Sequence, residues 1–394
     1  VSEYQYYEFQ AVDRPLTEDE LAQVRGLSSR ARISATHFVN EYHWGDFRGD
    51  VRKLMEQLYD AHLYWAAWGS RRLVLRLPAA LLPARVVRPF ADPDVLECWT
   101  KNGHALLDLR TPYEDDDGEW DWEQSFTLSS FLGLRAELAA GDLRPLYLAW
   151  LVGLRHWELS EEDEEGFASA TEPPLPPGLG QLTGPQRALA DFLKVDQDLL
   201  AAAADGSPAL PQAEAGPQVD RAALAAWIAA LPAKDKDRLL LDAVTGKAPQ
   251  PGTALLTRYR AGRRTDVPEP ARRTAAQLLD AAQAVRTERR RAERQAREAA
   301  AQARLDAAAR AREQHLARLA TDPEIAWGDV DRLIAQKQQA PYDAAVALLR
   351  DLRELHDRAL DRAGFDTRAS VLRAAHRGKS SLMRRFDDAG FPNP

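Results

Sequence analysis

The residue pattern predicts an α+β N-terminal domain followed by an all-α C-terminal region, in which a long Ala/Arg-rich helix leads to a terminal paired-helix unit. Three observations predict it. Residues 1–180 hold 17 Lys/Arg and 31 Asp/Glu, net −14, whereas the remaining 35 and 29 give residues 181–394 a net +6. Eight of the ten tryptophans precede residue 160, so the two halves are unlike in composition and are expected to build separate cores. Finally, residues 271–320 contain no proline or glycine but 12 arginines and 6 acids, a composition that favours an uninterrupted helix.

The elements follow in order. Tyr4–Phe9 is dominated by aromatics and predicts a strand. Thr17-Glu18-Asp19-Glu20 is a capping box, and a helix should run from it to about Ser28. Arg32–Tyr42 reads as strand or extended chain, and Arg52–Tyr59 as a helix with Leu54, Met55 and Leu58 on one face. Arg71–Pro78 is a strand stopped by proline. Val95–Lys101 and Ala105–Arg110 flank Asn102-Gly103, a hairpin signal because both turn positions need positive φ. An acidic loop, Glu114–Glu123, precedes two helices, Ser129–Ala140 (stopped at Gly141) and Asp142–Leu159.

Residues 161–180 pass from Glu161-Glu162-Asp163-Glu164-Glu165 into Pro173-Pro174-Leu175-Pro176-Pro177-Gly178, the composition of a stiff linker. This divides the chain into an acidic aromatic-rich α+β domain (1–160), the linker (161–180), a small helical region (181–265), a long helix or weak coiled coil (266–321) and a paired-helix docking unit (322–394). The small region should hold helices at Pro185–Ala204, Val219–Leu231 and Asp235–Val244. The long helix, Pro270–Ala320, would span roughly 75 Å, and its alanine-rich middle is a poor heptad seam. Helices at Pro323–Lys337, Tyr342–Leu360, Thr367–His376 and Ser380–Ala389 complete the chain.

One cysteine, Cys98, excludes a disulfide framework and a thiolate zinc finger. No stretch approaches 18 apolar residues, and Val1–Glu8 lacks a basic n-region and an apolar h-region, so the expected setting is cytoplasmic with no membrane partner.

Trp327…Val330…Leu333-Ile334…Tyr342-Asp343…Leu348-Leu349…Asp351-Leu352, followed by His376…Lys379-Ser380-Ser381-Leu382…Ala389-Gly390, resembles the C-terminal helical tail of many bacterial SWIM-type zinc-finger proteins. The resemblance covers residues 327–390 and implies a helical unit. The finger itself needs several cysteines, so neither its metal nor its DNA function is implied. Tyr4–Phe9, Asp13-Arg14-Pro15-Leu16 and Asn40–Phe47 resemble an uncharacterised bacterial family, which implies no activity.

The chemical candidates are few. His43, Asp46 and Glu41 crowd into Asn40–Asp50 with Gly45 and Gly49, where a carboxylate beside an imidazole could act as general base or acid. The competing reading is a turn whose aromatics fill the core and whose charges cap the helix after Asp50. His37, His43 and His62 match no standard ligand spacing, so no metal and no cofactor are expected. The acidic loop lacks the order of a calcium loop, and Gly378-Lys379-Ser380-Ser381 lacks the upstream glycine of a phosphate loop. Arg373, Arg377, Lys379, Arg384 and Arg385 form a basic cluster that could follow a phosphate backbone. The sequence favours a non-enzymatic interaction or scaffold protein with a protein or ligand partner. The alternatives are a nucleic-acid-associated accessory factor and an enzyme with its site around His43.

Overall fold

The structure, a computed structural model, describes residues 4–112, 126–159, 170–210, 221–244, 259 and 272–392. The acidic loop at 114–123 and residues 161–169 of the expected linker lie outside them. The chain divides into two units, 1–289 and 290–394.

In the first unit, β1 (Gln5–Gln10), β2 (Arg32–Ile33), β3 (His37–Tyr42), β4 (Ala61–Ala66), β5 (Arg71–Pro78), β6 (Leu96–Lys101) and β7 (His104–Arg110) form one sheet in the order β2-β3-β1-β4-β5-β7-β6. Every pairing is antiparallel. Asn102 and Gly103 close the β6–β7 hairpin with φ of 50° and 74°, the positive values its two-residue turn demands.

Each face of the sheet buries its own core. Helices α1 (Glu18–Arg25) and α2 (Val51–Gln57) accompany one face, where Phe9, Phe38, Val74 and Leu106 pack with Val24, Leu54 and Met55. The α1 start is the expected capping box, with Thr17 and Glu20 each bonding the other's backbone. The opposite face presents Leu63, Leu73, Leu75, Leu107 and Leu109 to α4 (Gly133–Ala139), α5 (Arg144–Leu159), α6 (Gly184–Phe192) and α7 (Gln197–Gly206). Short helix α3 (Ala84–Val87) adds Val87 to this core. The stretch expected as one helix, Pro185–Ala204, is thus two, broken where Lys194 takes φ 56°.

The Pro-rich stretch after residue 170 packs onto this second face instead of spanning open solvent. Glu172 is buried and receives Arg273 at both oxygens, each at 2.9 Å, and the Tyr147 hydroxyl donates to the same carboxylate. Main-chain bonds from Glu172 N to Arg273 O and from Ala275 N to Ala170 O close the clip. A buried carboxylate needs such partners, and the partner here lies 101 residues away, beyond what local composition registers. Arg71 ties α6 to the sheet by donating to the carbonyls of Asp191 and Phe192, at 3.1 and 2.9 Å.

Beyond α7 come α8 (Arg221–Ala230), α9 (Ala233–Val244) and the 47-residue helix α10 (Ala275–Thr321), which runs through the unit boundary. On the first-unit side, Arg286 and Arg289 of α10 grip Asp196 and Asp198 at the start of α7.

The second unit adds α11 (Pro323–Ala335), α12 (Gln339–Arg358), α13 (Arg362–Ala375) and α14 (Ser380–Asp388). Trp327, Val330, Ile334, Val346, Leu349, Leu352, Phe365, Leu382 and Phe386 form its separate core. Arg312 bridges Asp351 and Glu354, and Arg358 bridges Glu313, so α10 is held against α12 by exposed ion pairs. Such pairs contribute at most about 1 kcal/mol each.

Candidate functional site

The sequence-derived acid–base trio is not one constellation. Glu41, near the end of β3, is exposed and accepts from Arg32 at 3.0 Å and from the Tyr4 hydroxyl at 3.2 Å. His43 is exposed, its ring 5.2 Å from that of Tyr4. Asp46 accepts from the Phe47 amide at 2.7 Å and faces the Tyr7 hydroxyl at 2.8 Å. Among the described residues, no hydrogen bond joins His43 to either carboxylate. The rest of the segment is largely structural. Gly45 takes φ 79°, Phe47 packs on Tyr7, Phe9 and Phe38, and Asp50 caps α2 by accepting from the Lys53 amide. Trp44 is the exception, 67% exposed beneath the Arg30 guanidinium.

What the segment borders is a pocket of about 280 Å³ on the α2 face of the sheet. Strand register builds it. Tyr7 of β1 pairs with Tyr64 of β4, Tyr64 with Arg72 of β5, and Arg72 with Arg110 of β7. Side chains two residues apart share a face, so His62 lies beside this row, and Val51 at the start of α2 closes it from above. Ser70 and Thr111 add hydroxyls at the rim.

Three arginines, Arg71, Arg72 and Arg110, line the pocket. Arg72 grips buried Asp108 through Nε at 2.9 Å and Nη2 at 2.7 Å. Arg110 donates from Nη2 to Asp108 at 2.9 Å and to Glu97 at 2.7 Å. Burial pushes the Asp108 carboxyl up, but the two guanidiniums outweigh it and leave its pKa lowered. Glu97 also accepts from Arg52 at 3.1 Å, and Arg71 donates to main-chain carbonyls. Arg110 Nε is buried with no partner.

His62 is fully buried, stacked on Phe9 with ring centroids 4.0 Å apart. Its Nδ1 lies 3.0 Å from the Glu8 carbonyl oxygen. A carbonyl only accepts, so Nδ1 carries the hydrogen and Nε2 keeps a bare lone pair. That Nε2 is buried and without a hydrogen-bond partner. Burial first, and the Arg72 charge second, push the imidazole down to about 3.

Sequence reasoning missed this site because its members are spread over residues 7–111 and meet only through strand register. The lone usable sign was a histidine in an apolar, aromatic run, Ala61–Ala66. His37 pairs with Glu8 at 2.6 Å. Among the described residues no three His, Cys, Asp or Glu side chains form a group able to hold a metal ion. None of their helices is long and apolar enough to cross a membrane.

The basic cluster is divided. Arg373 is buried and donates to Asp387 and the Phe391 carbonyl. Lys379 donates to the Ile334 carbonyl at 3.1 Å, and Arg385 to Asp343 at 2.6 Å. Arg377 and Arg384 are exposed. No protein-family model, curated protein or solved structure matches the chain.

Proposed function

We propose that this is a non-enzymatic interaction protein, whose N-terminal unit holds a small ligand in the pocket over His62 and whose C-terminal helical unit serves as a docking module for a protein partner. The protonation behaviour of the pocket wall carries the reading. His62 would take a proton only near pH 3, burial and the Asp46 bond hold the Tyr7 hydroxyl well above its ordinary range, and Asp108 is committed to two guanidiniums. Acid–base catalysts work best with a pKa near the working pH. This wall suits recognition better than proton transfer.

The enzyme alternative at His43 has less support, since its groups are exposed and both carboxylates are bonded elsewhere. The nucleic-acid alternative is weakened by the intramolecular bonds of Arg373, Lys379 and Arg385. Melting-temperature measurements with acetate, phosphate, glucose and uracil, on wild type and His62→Gln, test the reading. A ligand-dependent rise seen only in wild type is expected. No rise with any of the four would sink it.

A further inference from the structure

We propose that the free edge of the sheet, strand β6, pairs with the β6 of a second copy of this chain, antiparallel and centred on Trp99, so that two sheets join into one. β6 ends the strand order, with β7 on one side and no strand on the other. Main-chain bonds fix which way each residue faces. The Val95 carbonyl accepts from the Arg110 amide, toward β7, and Leu96 exchanges two bonds with Asp92, away from β7. Neighbouring residues of an antiparallel strand alternate in this respect. Cys98 and Thr100 therefore also turn their N–H and C=O outward. Among the described residues nothing bonds these four groups. The strand holds no proline, and its one lysine sits at its end, so little blunts the edge.

The side chains select the partner. Glu97, Trp99 and Lys101 share one face of the strand. A two-fold axis through Trp99 sets Cys98 opposite Thr100 of the second copy, and their outward groups make four hydrogen bonds. The same register sets Glu97 opposite Lys101 of the second copy, twice, and Trp99 opposite its counterpart. Lys101 is exposed and has no ion pair among the described residues. Each Glu97 oxygen accepts one bond, from Arg52 or from Arg110, and keeps a lone pair for another donor. The Trp99 ring is already held, with the Arg52 guanidinium 4.0 Å from its centroid and its Nε1 donating to Glu56 at 2.9 Å. Opposite charges and aromatic pairs across strands each contribute up to about 1 kcal/mol, and like charges oppose pairing. A parallel pairing would set Glu97 beside Glu97 and Lys101 beside Lys101. The edge is thus complementary to itself in the antiparallel sense.

Sedimentation velocity of the full chain over a rising series of concentrations, under reducing conditions, tests this. Wild type should pass reversibly from monomer to dimer. Thr100→Pro deletes an outward N–H, a change that an edge strand tolerates, and should abolish the dimer while the thermal melt stays close to wild type. Lys101→Glu alters only an exposed side chain, sets acid against acid and should weaken the dimer about tenfold; it serves where proline disturbs the strand. Register is read by mild oxidation in a Cys98→Ser background. Trp99→Cys should link the copies, because directly opposed residues of a non-hydrogen-bonded pair have Cα atoms about 4.5 Å apart, within disulfide reach. Lys101→Cys should not, since it faces Glu97. A chain that stays monomeric at every concentration overturns the proposal and leaves the edge to a different strand. A dimer that survives in a folded Thr100→Pro variant, or that Lys101→Glu does not weaken, overturns it as well. Links at position 101, or none at position 99, overturn the register.

Discussion

His62 Nδ1 sits 3.0 Å from the main-chain oxygen of Glu8, across the β1–β4 pairing, and this one contact decides which ring nitrogen faces its surroundings bare. Burial first, and the Arg72 charge second, also make the histidine a stability sensor. The folded pKa, about 3, lies below the ordinary 6.5, so the unfolded chain binds the extra proton. Stability should therefore fall as pH drops from about 6.5 toward 3. Between pH 6 and 4.5 the histidine should contribute about 1 kcal/mol per pH unit. Urea unfolding of wild type and His62→Gln across that range checks it. Identical pH slopes would remove His62 as the source.

The Arg72–Asp108 pair predicts an asymmetry. Arg72→Met leaves a buried carboxylate held by Arg110 alone and should cost about 3 kcal/mol. Adding Asp108→Leu removes the stranded charge and should recover at least half. Denaturant midpoints of the single and double variants decide it; a double variant less stable than Arg72→Met contradicts the account.

Tyr7→Phe removes a hydroxyl set between Asp46 and Gln5, at 2.8 and 2.9 Å. It carries one proton and serves one acceptor at a time, so the expected loss is that of one hydrogen bond, about 1 kcal/mol. Hydrogen exchange should quicken at Phe47, whose amide donates to the same Asp46 oxygen. Unchanged exchange there would show that the hydroxyl does not hold the segment.

In the helical unit, Arg373→Ala should cost about 2 kcal/mol, since its guanidinium is buried against Asp387 and Phe391. Arg377→Ala and Arg384→Ala should lie within about 0.5 kcal/mol of wild type. Thermal melts separate these. In parallel, filter binding to random-sequence DNA and RNA across a salt series should show no salt-dependent retention; clear retention, lost in the Arg377/Arg384 double alanine variant, would revive the nucleic-acid reading.

Much of the fold was legible where local chemistry decides it. Thr17 and Glu20 form their capping box, Asn102-Gly103 makes its hairpin, and Gly141 takes φ 85° where α4 should stop. The gaps have a common cause. Ala61–Ala66 lacks the alternation of a half-buried strand because β4 lies in mid-sheet with both faces covered. The wall of Tyr7, Tyr64, Arg72 and Arg110 takes one residue from each of four strands, and no window of sequence contains it. Glu172 reads as part of a solvated linker until its partner, Arg273, is known.

That last pair has a consequence for the path of the chain. Arg273 also donates to the carbonyl of Ala202 at 3.0 Å, so the chain that leaves α7 after Gly206 returns to the same spot. Residues 210 and 272 of the described chain thus lie within reach of one clip, in which Arg273 joins Ala202 to Glu172. The cost of closing a loop between two such points grows only slowly with its length.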